Sequence, residues 1–395
     1  MRRSVFRLSS VWRVAMIVTA AGVVWTIGFT AHTSAEPNPP SRKASASVEA
    51  SADSPKPGEG ESANRLAQNP NAGQQNPAQQ NQGRGRGQQN PSQQNQSRGG
   101  QPQNFDNVDV HVLPVQGNVY MMVGAGGNIA VQIGDEGVLL VDTSYAQMSD
   151  KIVAEIKKLT SKPIRYIINT HVHPDHIGGN ENLGKLGVTI GNQGGGGMGA
   201  AIVAHENVLS RMSAVTNGQP ASPYGAWPTD TYLTKQKEIF FNNEPVILLH
   251  QPAAHTDGDT IVFFRRSDVV ITGDIFTTTN YPFIDQAQGG SLTGIIKALN
   301  NILDITIPKD KQEGGTYVIP GHGRLCDEHD VLEYRDMLTI IRDRFQDAVK
   351  KGMTLEQAKA AKLTLDYDGR YGATTGTWTT DMFVEAVYKE FSSKK

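Results

Sequence analysis

The spacing of apolar positions changes several times after residue 105, and each spacing predicts a different element. Four short apolar runs separated by glycine-containing turns predict an antiparallel meander of strands at 108–115, 119–123, 129–133 and 138–141. An apolar stripe with helical spacing then predicts a helix over 150–159. The apolar run at 164–168 predicts a buried strand, whereas 200–212 fits either a helix or a strand.

The second half of the chain repeats this order of strands followed by a helix. Strands are predicted at 246–249, 260–264, 269–272 and 317–319, and the clearest helical stripe covers 291–303. Further helices are predicted over 328–350, 354–362 and 380–391. Two such halves predict an α/β fold in which two sheets pack together with helices outside.

The first hundred residues have a different composition. Residues 1–35 contain basic residues, an apolar run at 14–31 and then small residues, which predicts a signal peptide or an uncleaved N-terminal membrane anchor. Residues 36–104 are rich in Gln, Asn, Pro and Gly and predict a disordered linker, because they hold too few apolar groups to form a core. We therefore expect an exported protein, periplasmic or associated with the cell envelope, with the N-terminus as a membrane tether if it is retained.

The net charge bears on nucleic-acid binding, and the cysteine content bears on disulfide bonds. The net charge of −2, from 37 basic and 39 acidic residues, gives no electrostatic reason to expect a nucleic-acid partner. Cys326 is the single cysteine of the chain, so an intrachain disulfide cannot form. No protein partner is evident from the sequence.

The strongest chemical signal is the hexapeptide His171-Val172-His173-Pro174-Asp175-His176, which directly follows the strand predicted at 164–168. It holds three of the ten histidines. His171 and His173 project from the same face of an extended chain, and Pro174 favours that extended geometry. Imidazole and carboxylate are ordinary ligands of zinc and related metals, so this stretch predicts a site for two adjacent ions.

Three more candidate ligands lie at the ends of predicted strands. His255 occupies a turn between two strands, Asp274 ends a strand, and His322 stands between two glycines after another strand. Loops fixed by a rigid sheet are where binding residues concentrate. His205 and His250 lie outside these patterns and are interpreted as structural histidines.

These motifs together resemble those of the metallo-β-lactamase superfamily: His-x-His-x-Asp-His, a lone His, an Asp or Cys, and Gly-His, in order across residues 108–324. The resemblance implies a four-layer αββα sandwich. We expect a catalytic domain over 105–327, with a helical extension over 328–395 that packs on it. It also implies two zinc ions, although a ligand set without sulfur suits iron or manganese as well. The implied first site comprises His171, His173 and His255; the second comprises Asp175, His176 and His322, with Asp274 bridging or binding the second ion.

The function implied is that of an exported dinuclear zinc-dependent hydrolase of small molecules. A metal-bound hydroxide would attack an ester, lactone, thioester or amide carbonyl, with Asp175 as the catalytic general acid/base. β-Lactams are less favoured, because Asp274 and Thr277 stand where the commonest zinc β-lactamases have cysteine and lysine. The alternatives are a phosphodiesterase with the same dinuclear site, or a non-catalytic, surface-tethered binding protein.

Two aspartates and one glycine-rich loop each allow two interpretations. Asp142 and Asp259 either orient the ligand loops or stabilise turns. The glycine-rich loop 124–128 is either a flap over substrate or a tight turn.

Overall fold

The region that carries all seven candidate ligands is described continuously except for two short segments. A computed structural model describes residues 104–189, 199–215 and 222–393. The predicted signal or anchor segment 1–35 and the predicted linker, apart from Asn104, lie outside the described residues. Within the described ranges, every helix is too short or too polar to cross a membrane.

The first sheet has seven strands arranged in chain order. They are β1 (His111–Gln116), β2 (Val119–Val123), β3 (Ile129–Gly134), β4 (Gly137–Val141), β5 (Ile164–Ile168), β6 (Ala201–His205) and β7 (Asp230–Tyr232). Pairing is antiparallel from β1 to β4, as predicted, and parallel from β4 to β7. The segment predicted as either helix or strand contains one of each, because β6 ends at His205 and a helix begins at Glu206.

The second sheet has six strands in the order β13-β12-β11-β10-β9-β8. They are β8 (Gln236–Phe241), β9 (Glu244–Gln251), β10 (Asp259–Phe264), β11 (Val269–Ile271), β12 (Tyr317–Ile319) and β13 (Cys326–Asp327). Only the β11–β12 pair is parallel. This pair places the ends of two strands, and the residues that follow them, at one edge of the sheet.

Helices cover the outer faces of both sheets. They are α1 (Ser149–Leu159), α2 (Pro174–Ile177), α3 (Asn180–Leu186), α4 (Glu206–Ser213), α5 (Leu292–Ile305), α6 (Glu328–Lys350), α7 (Leu355–Ala360), α8 (Leu365–Tyr371) and α9 (Thr380–Ser392). Strand β4 shows how the layers form: Leu139 packs between the two sheets, whereas Leu140 packs towards α1. A sheet buried on both faces needs an apolar residue at every position, and all five residues of β4 are buried.

The C-terminal helices share a core with the second sheet. Leu299 of α5, Leu338 of α6 and Phe383 of α9 belong to one buried cluster on the outer face of that sheet. The ring of Tyr281 stacks on Phe383 with centroids 4.5 Å apart. The predicted four-layer αββα sandwich is therefore confirmed, with the last helices forming part of its second outer layer.

Candidate metal centre

The hexapeptide leaves the end of β5 and enters α2. His173 has extended backbone angles (φ −71°, ψ 145°), as the following proline requires, and Pro174 is the first residue of the helix. Upstream, Thr170 donates a hydrogen bond from its backbone N–H to Asp142, which follows β4. The carboxyl ends of the parallel strands β4 and β5 thus lie side by side and present the polar residues that follow them.

The second sheet supplies the other three candidates at its corresponding edge. His255 lies in the loop between β9 and β10, and Asp274 lies in a short 3-10 turn, Gly273–Ile275, directly after β11. His322 follows β12. Because β11 and β12 run parallel, Asp274 and His322 come together: Oδ1 of Asp274 is 3.3 Å from Nε2 of His322.

The seven side chains converge as two neighbouring groups. Within each group, one potential ligand atom per residue lies within 4.8 Å of the others. The first group is His171, His173, His255 and Asp274, and the second group is Asp175, His176 and His322.

Asp274 lies between the two groups. Its Oδ1 is 3.1 Å from Nε2 of His176, whereas its Oδ2 is 3.6 Å from Nε2 of His255. One carboxylate therefore faces both groups with different oxygens.

Hydrogen bonds on the outer side of the histidine rings determine which nitrogen faces inwards. Nδ1 of His255 lies 2.5 Å from the carbonyl oxygen of Phe283, and Nε2 of His173 lies 2.9 Å from the carboxylate of Asp285. Both outer partners accept hydrogen bonds, so these nitrogens must donate. When both rings are neutral, the inner nitrogens, Nε2 of His255 and Nδ1 of His173, carry lone pairs while lying only 2.9 Å apart. Two facing lone pairs repel each other unless a proton or a metal ion lies against both.

One buried nitrogen in the first group supports the same interpretation. Nε2 of His171 has no hydrogen-bond partner within the described part of the chain. Burying a polar atom without a partner costs about 1–3 kcal/mol, and a bound ion at this position would remove that cost. Five imidazoles and two carboxylates fit two divalent cations such as zinc, iron or manganese.

The carboxylates of Asp175 and Asp274 favour a positive charge on a neighbouring imidazole. Burial opposes protonation of His322, but Asp274 and Asp175 raise its pKa to about 9. Burial would raise the pKa of Asp175, yet the His176 and His322 imidazoles hold it below its usual value. In His171, by contrast, burial and the neighbouring imidazoles hold the pKa well below its ordinary value.

The loop 124–128 packs directly against the second group. A Cβ atom at Gly127 would lie 2.2 Å from the ring of His176, so only glycine fits there. The backbone N–H of Gly127 donates to the carbonyl of Asp175. The side chain of Asn128 donates to the carbonyls of Pro320 and Gly323, on either side of His322. In this structure the loop therefore supports the ligands.

Asp142 and Asp259 both contact ligand segments. Asp142 accepts a hydrogen bond from Nδ1 of His176 at 2.7 Å. Asp259 accepts from the backbone N–H of His255 at 2.6 Å. Each aspartate thus orients a ligand loop, and Asp259 also stabilises its own turn through Thr256.

His205 and His250 lie outside both groups and stack on each other, with ring centroids 3.5 Å apart. Sequence reasoning missed Asp285, which contacts His173, because no spacing connects two residues so far apart along the chain. It also missed the carbonyl of Phe283, which any residue type could supply.

Both the sequence and the fold of the chain match known proteins. Residues 113–322 match the family model described as the metallo-beta-lactamase superfamily. The chain is 23% identical over 205 residues to the "Metallo-beta-lactamase type 2" of Bacillus cereus, covering 51% of this chain and 69% of that protein. It is also 49% identical, over only 45 residues, to the "Linear primary-alkylsulfatase" of Pseudomonas sp. (strain ATCC 19151), covering 11% of this chain and 8% of that one.

A solved structure shares the fold. The stereoselective inverting sec-alkylsulfatase Pisa1 from Pseudomonas sp. superposes with a TM-score of 0.51 at 15% identity over 71% of this chain. The matched region spans half the length of that sulfatase.

Proposed function

Because the chain belongs to the metallo-β-lactamase superfamily, we propose that it is an exported dinuclear zinc-dependent hydrolase that cleaves an ester, lactone, thioester or amide of a small molecule. The observation that carries the proposal is the convergence of seven ligand side chains as two groups, with inner lone pairs facing one another. The relatives named above are hydrolases.

His171, His173 and His255 would hold one ion, Asp175, His176 and His322 the other, and Asp274 would face both. Bound ions would polarise the scissile bond and lower the pKa of a water molecule from about 15.7 towards 7. The chain itself orients the ligand rings by hydrogen bonds to their outer nitrogens. Asp142 contacts His176 in this way, and Asp285 contacts His173.

Asp175 is the residue to which we assign the proton transfer. Its side chain is 14% exposed, whereas that of His176 is fully buried, so Asp175 has an edge open to solvent. The neighbouring imidazoles keep its pKa low, and it is therefore ionised at neutral pH. With ions bound and the pKa of a water molecule lowered, this carboxylate would accept the water proton and pass it to the leaving group.

Two observations bear on the substrate class. The hydroxyl of Thr277 donates to the carbonyl of His322 and so stabilises the ligand loop, at the position where the commonest zinc β-lactamases carry a lysine for the substrate carboxylate. This argues against β-lactams as the preferred substrate. A sulfate ester is the second candidate, supported by the 49% identical segment of the primary alkylsulfatase and by the shared fold of the sec-alkylsulfatase.

A substrate panel tests the proposal. The zinc-supplemented protein would be assayed with a phenyl ester, a lactone, a thioester, nitrocefin, an alkyl sulfate and a phosphodiester. The alkyl sulfate and phosphodiester separate sulfate-ester and phosphodiester hydrolysis from carbonyl chemistry. We expect Asp175→Asn to reduce turnover of the best substrate by about 100-fold or more.

The matched control is Asp347→Asn, which changes an exposed aspartate on α6. It should retain parental turnover. Absence of turnover of every member of the panel would favour the non-catalytic, tethered binding protein and overturn the proposed activity. Equal turnover by Asp175→Asn and the parental protein would overturn the role of Asp175.

Export is proposed on the basic, apolar and small-residue order of residues 1–35. Fractionation of cells that express the full chain or a chain lacking residues 1–35 tests it. We expect only the full chain to reach the periplasm or cell envelope. Equal distribution of the two chains would contradict export.

A further inference from the structure

Asp285 contacts both of the histidines that face each other in the first group. Its Oδ2 is 2.9 Å from Nε2 of His173, and its backbone N–H donates to the carbonyl of His255 at 3.1 Å. The same segment is packed tightly against His255, since a Cβ atom at Gly290 would lie 2.2 Å from the His255 carbonyl oxygen. A residue distant in sequence from both histidines thus fixes their relative position.

Each described neighbour of the Asp285 carboxylate can donate a hydrogen bond. The backbone N–H of Gln288 donates to Oδ1 at 3.1 Å, and the side-chain amide of Gln288 donates to Oδ2 at 3.2 Å. Nε2 of His173 makes the third contact, also with Oδ2. A carboxylate accepts from all three, and it holds the His173 proton on Nε2 so that Nδ1 carries the lone pair.

We propose that Asp285 is a positioning residue that fixes the tautomer of His173 and thereby sets the metal affinity of the first group independently of the second. This inference rests on the proposed metal-binding function. The second group has its own support, because Asp142 rather than Asp285 contacts His176.

Replacing Asp285 by asparagine reverses the polarity of the two contacts at Oδ2. The asparagine oxygen should face the backbone N–H of Gln288, because an NH₂ group there would leave that N–H without an acceptor. The NH₂ group then occupies the position of Oδ2 and donates to Nε2 of His173, and the side-chain amide of Gln288 must turn its oxygen towards the same NH₂ group. The His173 proton must move to Nδ1, the nitrogen that faces the metal position, and the ring can no longer act as a ligand.

Alanine at position 285 imposes no tautomer on His173. A tautomer effect therefore predicts that Asp285→Asn weakens metal binding more than Asp285→Ala. A role in packing alone predicts the opposite order, because asparagine keeps the shape of aspartate. The two variants together separate positioning of the imidazole from general structural support.

The experiment is zinc binding to the full chain in competition with a chromophoric chelator. We expect Asp285→Asn to raise the Kd of one of two zinc sites by about 10- to 100-fold, with a smaller rise in Asp285→Ala and an unchanged second site. ¹⁵N NMR of the metal-free proteins should show the His173 proton on Nε2 in the parent and on Nδ1 in Asp285→Asn.

The matched control is Asp257→Asn, an identical chemical change two residues from His255, where the carboxylate pairs with Arg211 at 2.6 Å. It should bind zinc like the parent. Three results would each overturn the inference while leaving the proposed function intact. The first is a parental zinc affinity in Asp285→Asn, and the second is a greater loss of zinc affinity in Asp285→Ala than in Asp285→Asn. The third is a His173 proton that stays on Nε2 in Asp285→Asn. A parental protein without two zinc sites would overturn both.

Discussion

Removing the Asp142 carboxylate should destabilise the fold as well as the second metal group. This carboxylate accepts hydrogen bonds from the backbone N–H and the hydroxyl of Thr170, at 2.8 and 2.7 Å, and from Nδ1 of His176 at 2.7 Å. Asp142 is 1% exposed, so water cannot easily replace it. In Asp142→Ala, the Thr170 hydroxyl keeps a neighbour in Nδ1 of His171, but the other two donors lose their acceptor.

The expected magnitude follows from these contacts. Each buried donor left without a partner costs about 1–3 kcal/mol, which gives about 2–6 kcal/mol for two. Asp142 also has a positive φ of 66°, and alanine in that region costs about 1–2 kcal/mol more. We therefore expect Asp142→Ala to lower the free energy of unfolding by about 3–8 kcal/mol.

Urea unfolding of the metal-free proteins measures this loss. Asp142→Asn is the companion variant, because asparagine tolerates the positive φ and can still accept from the Thr170 N–H, and it should lose less stability than alanine. If Asp142→Ala does not fold, Asp142→Asn still provides a measurable loss. An unfolding free energy of Asp142→Ala within about 1 kcal/mol of the parent would refute the reasoning.

Further predictions concern packing and charge at other positions. Gly127→Ala places a methyl group against the His176 ring and should reduce zinc retention by the second group, measured by chelator competition, whereas Gly369→Ala, with open space around its Cβ, should not. Burial raises the pKa of Glu244 above its unfolded value, so its contribution to stability is present at low pH and is lost as pH rises through the folded-state pKa. Glutamine does not titrate, so the free energy of unfolding of Glu244→Gln minus that of the parent should increase from about pH 4 to pH 7. Urea unfolding at both pH values measures this difference, and a difference that does not change with pH would contradict the prediction. Phe345→Ala in α6 should lower the free energy of unfolding by about 3–5 kcal/mol, because Phe345 is buried. Ile340→Ala, at a position 41% exposed on the same helix, should lower it by almost nothing. Equal losses of the two variants in urea unfolding would contradict the packing of α6 in the shared core.

Local signals along the sequence account for most of the strands and for all seven candidate ligands. The alternation of His171 and His173 and the effect of Pro174 are properties of adjacent residues, so they can be recognised without a structure. Strand β13 could not be predicted, because its two residues are extended only through pairing with β12.

Support for the ligands depends on contacts between distant segments. The requirement for glycine at position 127 arises from the His176 ring, and the role of Asp285 arises from His173. Neither pair has a characteristic spacing, so sequence patterns cannot reveal them. The short helix α8 was also missed, since its residues 365–371 show no clear apolar stripe.

The metal content of the chain tests the central claim most directly. Protein purified without added metal would be analysed for zinc, iron and manganese per chain, alongside His255→Ala, which removes a ligand of the first group only. The account predicts two ions per chain in the parental protein, zinc foremost, and one in His255→Ala. A parental protein with fewer than one ion per chain, or a His255→Ala variant that keeps both, would contradict it.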